Sequence, residues 1–199
     1  MMRALWKKMA VFVFAFAALS MLQTVYAQSI VTSSGDLSME QPTKAEIAER
    51  WLALEKTTDI YVTEPSYAAP YVLGELTEEY LEDTEDHLNF LRYIAHMPAV
   101  EQNRLHNTDA QYASVVTAAN KTLSHKPTQP ADMDYEFWSH GYAGASSSNL
   151  AASWKGDALW YSMQQYMDDY GVSNADALGH RRWLLNPSLL YVGFGQAGD

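Results

Sequence analysis

Apolar residues recur at helical spacing along most of this chain, and only near its end do they close into a strand-like run. Tyr80, Leu81, Leu88, Leu91, Tyr93 and Ile94 share one side of a helix predicted over Thr77–His96. Thr77, followed by Glu78 and Glu79, begins that helix and Pro98 ends it. A second helix is predicted from about Asp109 to Leu123 along the stripe Ala110, Ala113, Val116 and Leu123, with Pro127 and Pro130 barring its continuation. A third, over Asp157–Tyr170, turns Leu159, Trp160, Met163, Tyr166 and Met167 inward, and Gly171 suits a left-handed cap. Upstream, Thr43 caps a short amphipathic helix with Glu46 in its first turn and Ile47, Trp51, Leu52 and Leu54 on its apolar face. Between these helices, Asp59–Gly74 carries Tyr61, Tyr67 and Tyr71 with Pro65 and Pro70, a pattern that blocks helix and predicts an extended arm. Leu189–Phe194 reads as a strand. Helices first and a strand late predict an α+β layered domain and argue against a doubly wound parallel sheet.

The first 27 residues follow a different pattern. Arg3, Lys7 and Lys8 precede the apolar run Met9–Leu22, and Val25-Tyr26-Ala27 supplies small residues where a leader is cut. The run is shorter than the roughly 20 residues that span a bilayer, so residues 1–27 read as a secretory signal peptide and no transmembrane segment is expected after cleavage. Residues 28–41 are small and polar without periodicity and read as a flexible linker. Residues 42–76 hold the N-terminal helix and arm, and 77–199 the main domain.

Composition narrows the chemistry. The 199 residues include 24 acidic and 13 basic side chains, for a formal charge of −11, so the surface repels phosphate backbones and nucleic acid is not an expected partner. There is no cysteine, which excludes disulfides, thiolate zinc sites and cysteine nucleophiles. A domain of this size buries roughly 70% of its unfolded surface without such staples. Export without cysteine places the expected protein in a bacterial setting, secreted or held at the cell envelope.

The six histidines form no His-Glu-x-x-His pair, and no phosphate-cradling glycine loop is present. Gly144-Ala145-Ser146-Ser147-Ser148 begins like a nucleophile elbow, but Ser148 replaces the second glycine and no strand is predicted before it. Asp168, Asp169 and Asp176 lack the spacing of a calcium hand and read as solvated loop carboxylates. Three polar clusters are left as candidates: His125 after the second helix, Ser147-Ser148-Asn149 before Leu150, and Gly179-His180-Arg181-Arg182-Trp183.

In chain order, these residues resemble the motifs of the CAP superfamily (cysteine-rich secretory proteins, antigen 5, pathogenesis-related proteins), in its bacterial SCP-like extracellular branch. Leu88-Asn89-Phe90-Leu91-Arg92 resembles the family's Leu-Asn-x-x-Arg, Ala110-Gln111-Tyr112-Ala113 its Ala-x-x-Ala helix, and Ser124-His125 its Ser-His. Ser148-Asn149-Leu150-Ala151 is similar to the Glu-Asn-Ile/Leu-Ala element. Gly179-His180 through Asn186-Pro187, with Tyr191–Gly195, is similar to the family's closing segment. The resemblance implies a three-layer α-β-α sandwich with a short antiparallel sheet, and an open cleft holding two histidines and two glutamates. His125 and His180 match the histidines. Ser148 and Met163 stand where the glutamates are expected, so paired-carboxylate acid-base chemistry loses its players, and Glu136 and Asp168 are the substitutes at hand. The family sheet continues beyond the point where Asp199 lies, so a C-terminally truncated domain with an open edge on its last strand is expected.

The expected function is therefore binding of a small-molecule, lipid or cell-wall ligand in a cleft lined by His125, Ser148, Asn149 and His180, without turnover. No catalytic residue is assigned and no cofactor is required. His125 and His180 are also the expected ligands of a weakly bound divalent metal such as zinc. Two alternatives stay open: a hydrolase using a histidine-bound metal water, and a cell-envelope interaction module. Asn149 is expected to fix the loop that carries Ser148 into the cleft.

Overall fold

The computed structural model describes residues 10–16, 41–153, 158–170, 174 and 176–198, the first of these segments through its backbone. The fold is α+β. Six strands are described, β1 (Ala10–Phe16), β2 (Tyr61–Thr63), β3 (Glu75–Leu76), β4 (Glu101–Gln102), β5 (Ser148–Ser153) and β6 (Tyr191–Ala197). Six helices accompany them, α1 (Lys44–Ala53), α2 (Glu78–Ile94), α3 (Arg104–Asn120), α4 (Tyr135–Ser146), α5 (Ala158–Asp168) and α6 (Gly179–Leu184). The main sheet runs β4-β6-β1-β5, with antiparallel ladders on both sides of β1 and a short parallel ladder between β4 and β6.

Alternation along the strands separates the two helical layers. Val192 and Phe194 of β6 and Ala151 of β5 join Leu88, Leu159, Met163 and Tyr166 in a core beneath α2 and α5. On the opposite face Leu150 packs with Ala110, Ala113 and Ala145 beneath α3 and α4, and Ala197 with Val115 and Ala118. Gly193 and Gly195 let α3 lie directly on the strand. A Cβ at Gly195 would stand 2.3 Å from the Ala110 carbonyl carbon, and one at Gly193 2.1 Å from that of His106.

The side chains of α3 fasten β6 as another strand would. Asn107 Oδ1 accepts from the Phe194 N–H at 2.9 Å. Gln111 accepts from the Gln196 N–H at 2.9 Å and donates to its carbonyl at 2.8 Å. With β4 on one side and β1 on the other, β6 is covered by the chain's own segments. The expected open edge on the last strand is therefore corrected.

Sequence expectations fare unevenly in the helices. Thr77 caps α2 by accepting from the Tyr80 N–H, as its position predicts. α3 starts earlier than its apolar stripe, because Asn103 accepts from the N–H groups of Leu105 and His106. α1 has the expected capping box between Thr43 and Glu46 but buries none of its residues, and Leu52 is 82% exposed. Its hold on the domain comes from Trp51, which meets Phe90 and Trp160, and from Arg50 over the Tyr93 ring. The arm is extended as expected, pairing β2 with β3 and Ser66 with Val72. The linker lies outside the described residues except Gln41, whose side chain meets His96 at 2.8 Å. Gly171 also lies outside them.

Candidate functional site

The candidate residues gather where β5 begins. α4 runs into that point and ends at Ser146, so Gly144–Ser148 follows a helix and not the strand that a nucleophile elbow requires. Ser148 and Asn149 are the first residues of β5 and are buried at 6% and 3% exposure. The Ser148 hydroxyl donates to the Gly144 carbonyl, turning back onto the end of α4. The expectation of a loop presenting Ser148 to a cleft is corrected: a buried strand holds it, and its hydroxyl is spent on the backbone.

Asn149 joins this strand to α6. Its side-chain amide donates to the His180 carbonyl at 3.2 Å. His125 reaches the same end of β5 from the other direction, with Nδ1 2.8 Å from the Ala145 carbonyl in the last turn of α4. The neutral imidazole that donates there presents Nε2 as its acceptor. The two histidines are thus tied to neighbouring backbone by separate anchors, one through α4 and one through Asn149.

His180 is the more firmly held. It lies in the first turn of α6, and Asp169, just past the end of α5, receives it. Asp169 Oδ1 lies 2.7 Å from His180 Nδ1, and Oδ2 accepts from the Arg181 N–H at 3.0 Å. The Asp169 side chain has no exposed surface, whereas that of His180 is 22% exposed. A buried, acceptor-only carboxylate that also caps α6 fixes the ring's Nδ1 as donor, so that in the neutral ring Nε2 is the acceptor. Tyr166 lies beside the ring with centroids 5.2 Å apart, and burial pushes its phenol well above the ordinary tyrosine range.

Asp169 is the residue the sequence reading misplaced. Asp168 and Asp169 look alike as a charged pair, yet Asp168 is exposed and Asp169 buried. The signal lay in the spacing, since Asp169 continues the stripe of Leu159, Ser162 and Tyr166. Asp169 itself takes a left-handed backbone, φ 46°, that turns the chain off the helix. Arg181 does not pair with this carboxylate through its guanidinium; its Nε donates to the Met167 carbonyl.

The two positions where glutamates were expected serve packing. Met163 is wholly buried in the core and Ser148 is backbone-bound. Glu136 is exposed on the first turn of α4, so it does not supply the missing carboxylate. Among the described residues no group of three or more His, Asp or Glu side chains converges as a metal site. Along the other side of α6 runs a groove of about 660 Å³ lined by Arg181, Arg182, Trp183, Asn186 and Pro187 among others.

No described helix is long and apolar enough to cross a membrane. Compared with protein-family models, with curated proteins and with solved structures, the chain matches none.

Proposed function

We propose that the chain is a secreted SCP-like (CAP) domain protein that binds a small or extended ligand beside His180 and His125 without turning it over. The observation that carries this reading is the hold of Asp169 on His180. A buried carboxylate orients an imidazole whose second nitrogen has no hydrogen-bond partner among the described residues. Such a nitrogen is prepared to accept a proton-bearing group of a ligand, or to ligate a divalent metal.

Two further features favour binding over turnover. The glutamate positions of the resembled family are filled by Ser148 and Met163, one bound to backbone and one in the core, so neither supplies an acid or a base. The groove on the other side of α6, with Trp183 44% exposed beside Arg182, offers a second apolar and cationic surface on the helix that carries His180. The reading includes a cell-wall, lipid or small organic ligand at the envelope.

Zinc is a convenient probe of the imidazole pair. Calorimetric titration of the full chain should give modest affinity that falls sharply in both His125→Ala and His180→Ala. Equal affinity in all three proteins removes the pair from any shared site and overturns the reading. Ester hydrolysis by the zinc-loaded protein that disappears in His180→Ala would replace binding by the metal-dependent hydrolase.

A further inference from the structure

The middle of the sheet is made by residues that the sequence marks as a leader. β1 is the apolar stretch Ala-Val-Phe-Val-Phe-Ala-Phe within the run Met9–Leu22. It is paired on both sides: Ala10–Ala15 run against Ser153–Ser148 of β5, and Val11–Phe16 against Ala197–Val192 of β6. α3 and α4 pack on β1 from one layer and α5 from the other. A strand covered on both faces is expected to be apolar at every position and not at alternate ones, and this segment is. An apolar run of this length reads equally well as a leader's core or as a buried strand, so its sequence fits both roles.

β5 and β6 do not pair with each other; β1 is what joins them. Both are buried along nearly their whole length. Without β1, their facing N–H and C=O groups would line a slot roofed by helices, where little water can satisfy them. The slot has a defined width of one strand and a defined antiparallel direction, between strands that are themselves largely buried.

We propose that the space between β5 and β6 is a binding site for an extended apolar strand, and that its occupant is this chain's own Ala10–Phe16. The segment is held by the two ladders and the covering helices, not by its covalent link. It therefore stays in place when the chain is cut between β1 and α1. This is strand addition within one chain, with backbone hydrogen bonds giving the affinity and the buried lining the preference for apolar side chains.

The test uses the full chain with a site-specific protease sequence placed within residues 28–40. After folding and cutting, the N-terminal fragment should elute with the domain at one-to-one ratio, independent of protein concentration. In the uncut chain, backbone amides of residues 11–15 should exchange at least about a hundredfold more slowly than those of an unstructured peptide of the same sequence. Val13→Pro removes a donor from the middle of the sheet, and should lower the melting temperature or release the cut fragment. Separation of the wild-type fragment under native conditions overturns the proposal, whatever becomes of the remainder. So does exchange at residues 11–15 as fast as in an unstructured peptide of the same sequence, or an unchanged melting temperature in Val13→Pro.

Discussion

Asp169 Oδ1 lies 2.7 Å from His180 Nδ1, and the same carboxylate accepts from the Arg181 N–H through its other oxygen. One buried group therefore caps α6 and sets the direction of the ring on it. Because Asp169 is anchored at the turn that ends α5, the ring is positioned from the core outward.

Asp169→Asn should separate these two duties. The amide has one acceptor oxygen where the carboxylate has two, so either the Arg181 N–H or His180 Nδ1 loses its acceptor and unfolding free energy measured in urea should fall by about 1–3 kcal/mol. Zinc affinity should fall about ten- to hundredfold, because the ring loses the partner that orients it. A stability loss with unchanged zinc affinity would make Asp169 a helix cap only.

His87 makes stability depend on pH. Its ring is 1% exposed and stacks on Trp160 with centroids 3.9 Å apart, and its Nδ1 has no hydrogen-bond partner. Burial, with Lys56 adding to it, lowers its pKa from 6.5 to about 4. The unfolded chain therefore takes up this proton first. The contribution to stability is complete above about pH 6.5 and is lost progressively toward pH 4, by about 3 kcal/mol in all. Urea midpoints between pH 4 and 7.5 should show that slope in the wild type and a flatter one in His87→Phe. Parallel slopes would remove His87 as the cause.

Much of the architecture was legible because α2 and α5 obey one periodicity and α2 is capped by Thr77. α4 was not, since Gly141 and Gly144 interrupt its apolar periodicity, whereas in the fold they let this helix close on α3. β5 was not either, because Ser-Asn-Leu-Ala-Ala-Ser has weak strand propensity and becomes a strand by pairing with β1. At the site, His125, Asn149 and His180 stand out in the sequence, and the structure ties each of them near the start of β5. Ser148 stands out equally but is turned inward, and Asp169 is hidden by its exposed neighbour Asp168. Burial separates these two aspartates, and adjacent positions in the sequence do not show it.

Gly195 and Gly179 should respond oppositely to alanine. At Gly195 the new Cβ meets backbone of α3 at 2.3 Å, so Gly195→Ala should cost about 2–3 kcal/mol and lower the melting temperature by about 4–12 °C. At Gly179 a Cβ meets nothing within 4 Å, and alanine in this helical position should be neutral or stabilising by up to about 1 kcal/mol. Equal shifts in the two variants would contradict the close approach of α3 to β6.

Arg92 should prove structural despite its charge. It is wholly buried on α2, and its guanidinium donates to the carbonyls of Pro98, Leu184 and Asn186, pinning the exit of α6. Arg92→Met takes this donor from the Pro98 and Leu184 carbonyls, while the Asn186 carbonyl keeps the Leu189 N–H, and should cost about 3–5 kcal/mol in a denaturant titration. A loss below 1 kcal/mol would mean the segment after α6 is held by other contacts.

The most direct measurement is a nitrogen NMR spectrum of the His180 imidazole in the full chain, assigned with His180→Ala and recorded before and after adding zinc. For the neutral ring the structure predicts a proton at Nδ1, shared with Asp169, and an Nε2 resonance that moves on zinc addition while Nδ1 keeps its proton. A ring protonated at Nε2, or one unmoved while zinc binds the protein, would contradict a ligand-ready His180.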